Sequence, residues 1–398
     1  MRALLAGAAV LALATAVHAQ PVERWRDASA ALPAKDTPGH SMNAQAVDID
    51  RDGDRDLVIA MERGANRLLL NDGSGRFEDA SHRLPRAAKD SEESAVADLD
   101  RDGDLDIAIA NEDDLLPELY LNDGSARFRD DSGRLAIRVK ANAVVAFNAD
   151  RDGDADLLFG GDTVSHLMIN DGRGRFRDDS VRRLPPVYMR TQDVAVGDVD
   201  ADGDPDLVFG NEDRNRVFLN DGSGVFSVRT DAIEPASEPE ETRDVDLVDL
   251  DADGDLDLVL ANARIWNQSA RAPSRILLND GRGRFLHQPD DAWPRERADQ
   301  TVTVAAVDLT GDRLPELISG TVEDLTGRSP RGAIRVWRNL GAGRFAEMTG
   351  EVVPEGVIAN MFDIAAADFD GDGKTDVFVA ARGGRDVLLL SSPAPVSP

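Results

Sequence analysis

The chain has 398 residues, 75 Asp plus Glu against 45 Lys plus Arg, a net charge of −30 and no cysteine. The acidic balance argues against nucleic-acid binding, and the missing thiols exclude disulfides, thiolate metal sites and cysteine nucleophiles. A thin-cored exported chain without disulfides needs another staple, and bound metal is the obvious one.

The chain opens with Met1-Arg2 and an apolar run from Ala3 to Val17, ending in Ala19. A charged start, a short hydrophobic stretch and a small-residue site read as a signal peptide over 1–19, with Gln20 as the first mature residue. The run falls short of the roughly 20 residues that span a bilayer, and no later segment is apolar enough to cross. The expected location is periplasmic or extracellular, with no membrane span.

From Asp48 the sequence repeats. Asp48–Leu57 recurs as Asp98–Ile107, Asn148–Leu157, Asp198–Leu207 and Asp249–Leu258, with weaker copies at Asp308–Leu317 and Asp368–Val377. Longer gaps before the last two copies imply insertions near Arg264–Pro273 and Glu323–Gly332. A second signature, Asn71–Phe77, follows the first loop and recurs at Asn122–Phe128, Asn170–Phe176, Asn220–Phe226, Asn279–Phe285 and Asn339–Phe345. Its Asn-Asp-Gly core is hairpin chemistry, because these residues tolerate positive φ. Short apolar runs such as Leu57–Ala60, Leu68–Leu70 and Val217–Leu219 lie between the signatures and read as strands.

Each repeat therefore supplies four strands, and the predicted fold is all-β: a seven-bladed β-propeller of four-stranded antiparallel blades over residues 20–390. A Ser/Pro-rich tail, 391–398, follows. The last repeat ends at Leu388–Leu390 without a fourth strand. The N-terminal piece Trp25–Pro33 matches Phe77–Pro85 position by position. It is expected to close the last blade and leave no open edge.

The loop pattern Asp-x-Asp-x-Asp-Gly-x-x-Asp gathers carboxylates around a tight turn, and calcium wants six to eight hard oxygens. The candidate ligands are Asp48, Asp50, Asp52, Asp54 and Asp56 in the first loop, and Asp98, Asp100, Asp102, Asp104 and Asp106 in the second. The third offers Asn148, Asp150, Asp152, Asp154 and Asp156, and the fourth Asp198, Asp200, Asp202, Asp204 and Asp206. The fifth offers Asp249, Asp251, Asp253, Asp255 and Asp257. The seventh offers Asp368, Asp370, Asp372, Lys374 (through its carbonyl) and Asp376. The sixth has Thr310, Arg313 in place of Gly, and Glu316, and is expected to bind worst. About six calcium ions are predicted. These are not EF-hands, which need Glu at position twelve; Ile59, Ile109 and Phe159 stand there. The seven loops hold 31 of the 75 acids, leaving 44 against 45 Lys and Arg, so the whole acidic excess sits in them.

The aspartate loop followed by Asn-x-Gly-x-Gly-x-Phe resembles the FG-GAP or VCBS repeat family over residues 25–390, including the integrin α-subunit propeller. The resemblance implies seven blades, calcium between the first two strands of a blade, and adhesion or ligand binding. Gly-Ala-Pro is absent after the loops; Ile59-Ala60 and Phe159-Gly160 take its place. That departure favours the broader bacterial-type repeat over the integrin type.

No phosphate loop, nucleophile elbow or zinc spacing occurs, and His40, His82, His166 and His287 fall in different repeats. The reading is a monomeric, non-enzymatic binding or scaffold module for a protein or glycan. The alternative is a polysaccharide-lyase-type enzyme on the same propeller, a base being conceivable among 41 arginines. Alternating connections put the aspartate loops and Asn-Asp-Gly turns on one face and the variable linkers on the other. Tyr188, Arg264, Trp266 and Trp293 mark the expected ligand face, since aromatic and Arg residues on loops are common hot spots.

Overall fold

The computed structural model describes residues 24–35, 39–267, 269–270, 273–288, 293, 300–322 and 332–391. The predicted leader, the tail beyond Ser391 and nearly all of the Glu323–Gly332 insertion lie outside them.

Among the described residues the chain is all-β with two one-turn α-helices, Ser180–Arg183 and Thr349–Val352. β1 (Trp25–Asp27) comes first, then β2 (His40–Val47), β3 (Asp56–Ala65), β4 (Arg67–Asn71) and β5 (Phe77–Asp79). Next are β6 (Ala88–Ala97), β7 (Asp106–Asn111), β8 (Glu118–Asn122) and β9 (Phe128–Asp130). β10 (Ala141–Phe147), β11 (Asp156–Gly161), β12 (His166–Asn170) and β13 (Phe176–Asp178) follow. After them run β14 (Thr191–Gly197), β15 (Asp206–Asn211), β16 (Arg216–Asn220) and β17 (Phe226–Arg229). β18 (Thr242–Val248), β19 (Asp257–Asn262), β20 (Arg275–Asn279) and β21 (Phe285–His287) precede β22 (Thr301–Val307), β23 (Glu316–Thr321), β24 (Ile334–Asn339) and β25 (Phe345–Glu347). β26 (Met361–Ala367), β27 (Asp376–Ala381) and β28 (Val387–Ser391) end the described chain.

Among the described residues these strands form six antiparallel sheets, five of four strands and one of eight. The eight-stranded sheet is two meanders, β2–β5 and β6–β9, fused where Glu62 pairs with Asp90 and Ala65 with Ala88. The meanders run in sequence order, as hairpin connections dictate, except that β1 joins the last one beyond β28. The second strand of a meander has neighbours on both sides and sheets against both faces. Its residues are accordingly buried without alternation, as in β7, β11, β15, β19, β23 and β27.

The first strands pack side by side around an axis, in the order β2, β6, β10, β14, β18, β22, β26 and back to β2. Each carries a bulge near its start, for example between Ser41 and Asn43 and between Thr191 and Asp193. The bulge frees a side chain to reach the next sheet. Glu93 accepts from Val144 N–H at 2.9 Å, Asp193 from Val245 at 2.7 Å, Asp244 from Val304 at 2.7 Å and Asn43 from Ser94 at 3.1 Å. Asp363 accepts from Ala44 at 2.7 Å and so ties the last sheet to the first.

β1 pairs with β28, Trp25 against Ser391 and Asp27 against Leu389. The match with the internal fourth strands extends to hydrogen bonds. Ser29 Oγ accepts from Leu388 N–H at 3.1 Å as Ser81 Oγ accepts from Leu68 at 3.2 Å. Trp25 is 3% exposed and donates from Nε1 to Thr375 O at 3.1 Å. Across the same boundary Phe77 meets Phe369 edge-on at 5.7 Å, and Leu57 and Leu69 pack with Phe378 and Leu388. One boundary moves: Ser391, predicted to begin the tail, ends β28. Its N–H donates to Asp376 Oδ1 at 2.6 Å, the place Asn71 takes on Asp56.

Trp25→Ala empties a closed pocket and should cost about 3–5 kcal/mol. Deleting Pro21–Pro33 should also bare the edge of β28, lowering the melting temperature and promoting aggregation. A truncated chain that melts like the parent in calorimetry contradicts this closure.

Candidate metal centres and binding face

The aspartate loops share one backbone path. Their fourth residue is left-handed even where it is not glycine, with φ of 65° at Arg51 and 61° at Ala201. Their sixth, Gly53 in the first loop, takes φ 100° and donates its N–H to Asp48 Oδ2 at 3.2 Å. This path turns the first, third and ninth side chains together. Ligand atoms of Asp48, Asp50 and Asp56 lie within 4.8 Å of one another, as do those of Asp98, Asp100 and Asp106, of Asp198, Asp200 and Asp206, and of Asp249, Asp251 and Asp257. In the third loop Asn148 keeps an amide oxygen in the first position.

The donor set fits a hard cation on a direct observation. Oδ1 of Asp48, Asp98, Asp100, Asn148, Asp150, Asp200, Asp251 and Asp370 is buried and has no hydrogen-bond partner. Buried acceptors are ordinarily paired, so a set of orphans recurring at the same loop positions is what a cage for a metal looks like. Burial first, and then the neighbouring acid, pushes the Asp50, Asp100, Asp200 and Asp251 carboxyls above their usual range. The ninth-position carboxylates Asp56, Asp106, Asp156, Asp206 and Asp257 are pushed up to about 7 by burial, against the pull of two backbone N–H donors each.

The fifth and seventh side chains also make contacts of their own. Asp52 Oδ1 accepts from Asp54 N–H at 2.9 Å and braces the turn. Arg51 pairs with Asp104 at 2.7 Å, Arg101 with Asp154, and Arg151 with Asp204 at 2.5 Å. The seventh-position carboxylate is thus drawn to the preceding loop, which agrees with a carbonyl-only role there and makes Lys374 unobtrusive. The sixth loop keeps the frame despite its sequence. Arg313 adopts φ 70° and donates its N–H to Asp308 Oδ2 at 2.9 Å, and Thr310 Oγ1 and Glu316 Oε1 are buried without partners.

The Asn-Asp-Gly turns lie against these loops: a Cβ on Gly73 would meet Asp54, and one on Gly222 would meet Asp204. The linkers gather at the other ends of the strands. Tyr188 and Trp266, 78% and 64% exposed, line one groove of about 600 Å³ with Met189, Arg190, Glu212 and Asn267. Arg190 pairs with Glu212 at 3.1 Å across it. Arg264 is exposed outside the groove, its N–H held by Gln300 Oε1 at 2.8 Å. Trp293 is half-buried and meets Trp337 edge-on at 6.0 Å, so it packs rather than presents itself. The structure thus unites Tyr188 with Trp266 and leaves the other two expected residues apart.

Glu241 is a residue that sequence reasoning missed. Fully buried, it accepts N–H groups from Ile265 at 3.0 Å, Trp266 at 3.0 Å and Asn267 at 2.7 Å, and so holds the Trp266 loop. No signal marked it, since the matching places hold Arg190, Lys140 and Asp90.

Among the described residues no helix is long and apolar enough to cross a membrane. A lectin from Agrocybe aegerita, solved for its recognition of non-reducing terminal N-acetylglucosamine, is 19% identical with a TM-score of 0.51 over 86% of this chain and 85% of its own. The extracellular domain of a hybrid two-component system of B. thetaiotaomicron is 9% identical, with a TM-score of 0.56 over 94% of this chain and 40% of its own. At these identities the likeness is one of fold. No match was found among curated proteins. FG-GAP-like repeats match residues 48–109, 98–159, 148–209, 198–260, 249–319 and 322–379, and the chain belongs to that repeat family.

Proposed function

We propose that the chain is an exported, calcium-loaded, seven-bladed propeller over residues 20–391 that acts as a binding or scaffold module for a protein or glycan. The count of seven takes the eight-stranded sheet as two blades, and the cyclic order of the first strands supports it. About six calcium ions fill the loops, the orphaned first- and third-position oxygens being their ligands. The observation that carries the binding role is the convergence of two largely exposed aromatics, Tyr188 and Trp266, on one braced groove away from the metal loops. Exposed rings on a rigid surface are typical anchors. The lectin neighbour's sugar recognition is consistent with this role.

Chelation should lower the melting temperature substantially, because an ion bound only by the native state stabilises it, by about 2.7 kcal/mol per site at a hundred times Kd. Asp50→Ala should remove one ion. Calorimetry that finds no calcium uptake by folded, metal-stripped protein refutes the metal assignment.

Metal-free protein has a definite pH dependence. Its ninth-position carboxyls titrate near 7 when folded and near 4 when unfolded, so across that window the folded state holds more protons. Its stability should therefore fall as pH rises from about 4 to about 7. A chelated sample that melts higher at pH 8 than at pH 5 contradicts the assigned burial.

For the binding face, an immobilised oligosaccharide panel and an envelope extract are presented to the calcium-loaded chain. Tyr188→Ala with Trp266→Ala should weaken retention at least tenfold with the melting temperature held, while Ser74→Ala and Ser223→Ala in the opposite turns should not. The reverse pattern places recognition on the metal face.

A further inference from the structure

At the linker end of the axis the first strands open into a second cavity, of about 350 Å³, within the range of ligand pockets. Its wall is built rather than incidental. Arg243 lies in it with a side chain 12% exposed; its Nη1 is buried without a hydrogen-bond partner, the Glu241 carboxylate standing off at 3.9 Å. Asp90 Oδ1, on the same wall, is a buried acceptor without a partner. Asn142 and Gln192 are each fixed by one hydrogen bond from the side-chain amide, Nδ2 donating to Thr191 O at 3.1 Å and Nε2 to Glu212 Oε1 at 3.0 Å. Phe362, under the Arg382 guanidinium at 5.2 Å, and Trp266 add aromatic surface.

These features discriminate between ligand classes. A simple anion would satisfy Arg243 but meet Asp90 and Glu112, and a simple cation would satisfy the acids but meet Arg243. A hydroxyl both donates and accepts, so it can satisfy the orphan donor and the orphan acceptor together. Leaving either unmet is costly, which is how such a site discriminates. Glu92 agrees: burial, then Glu112 and Asp90, push its carboxyl up to about 8, so it is a neutral donor at pH 7. Below the mouth the axis narrows to about 100 Å³ between Glu93, Asp193, Asp244 and Asp363. Those four carboxylates are occupied in holding neighbouring sheets together, so the constriction is fixed. A ligand can enter the mouth and not thread the axis.

We propose that this axial mouth binds the terminal residue of a neutral, hydroxyl-rich saccharide, held by Arg243, Asp90, Asn142 and Gln192 against Phe362 and Trp266. This rests on the linker face being the binding surface, and it adds a site distinct from the Tyr188 groove that shares Trp266 with it.

The test uses the full calcium-loaded chain on immobilised neutral, uronic-acid-bearing and amino-sugar-bearing oligosaccharides, with free neutral monosaccharides as competitors. The expected result is retention on the neutral arm, displacement by a free monosaccharide, and at least a tenfold loss in both Gln192→Ala and Asn142→Ala with unchanged melting temperature. Tyr188→Ala should change affinity less than threefold. Binding lost in Tyr188→Ala and kept in Gln192→Ala and Asn142→Ala overturns the axial site while leaving the broader binding role standing. Retention confined to a charged arm overturns the hydroxyl argument, and failure of every free monosaccharide to compete overturns end-on entry. No retention on any arm overturns the inference. If envelope-extract capture is then also indifferent to Tyr188→Ala and Trp266→Ala, the linker-face reading falls with it.

Discussion

The ninth-position carboxylate of each aspartate loop is the interaction on which the rest of the architecture hangs. Asp56 is fully buried, with Oδ2 accepting from Ile49 N–H at 3.1 Å and Oδ1 from Asn71 N–H at 2.8 Å. The first bond closes the loop and the second ties it to the Asn-Asp-Gly turn. Asn71 then donates from Nδ2 to Phe369 O at 2.8 Å, across to the neighbouring sheet. The same chain recurs from Asp106 through Asn122 to Ile49 and from Asp206 through Asn220 to Ala149. A carboxylate that also walls a candidate metal cage would join cation binding to contact between sheets. Without a cation it is a buried charge near other charges, an expensive arrangement.

Neighbouring sheets are latched a second time at the other ends of the strands, in the opposite direction. There the bulge residue of one first strand reaches forward to the next. Where that residue cannot reach, the receiving strand adapts: after Ala143, Val194 N–H turns to its own Asp193 at 2.7 Å, and after Thr303, Ile364 turns to its own Asp363 at 2.8 Å. Backward latches at the turns and forward latches at the bulges hold each sheet at both ends. The linkers are left free to vary in length and to carry Tyr188 and Trp266, as loops on rigid scaffolds do.

Much of this was legible because the sequence says it repeatedly. The loop spacing recurs often enough to fix register, and the Trp25–Pro33 match revealed the closing strand. The sixth loop keeps the backbone path of the others although its residues depart from the pattern: Arg313 occupies a left-handed position usually left to glycine. The bulge carboxylates were illegible, since one acid in an alternating strand reads as solvent-facing. Glu241 and the fusion of β3 with β6 sit in linkers without periodicity. Trp293 looked like an anchor and packs on Trp337, because an isolated aromatic in a loop does not declare which way it turns.

Coupling of the cage to the sheets is most directly tested by hydrogen exchange of single backbone amides with and without calcium. The Asn71, Asn122, Asn170, Asn220 and Asn279 N–H groups all donate to ninth-position carboxylates. They should be protected in calcium and lose protection on chelation together with the loop amides of Ile49 and Leu99. Loop amides that open on chelation while these turn amides stay protected would separate metal binding from sheet contact and contradict the account.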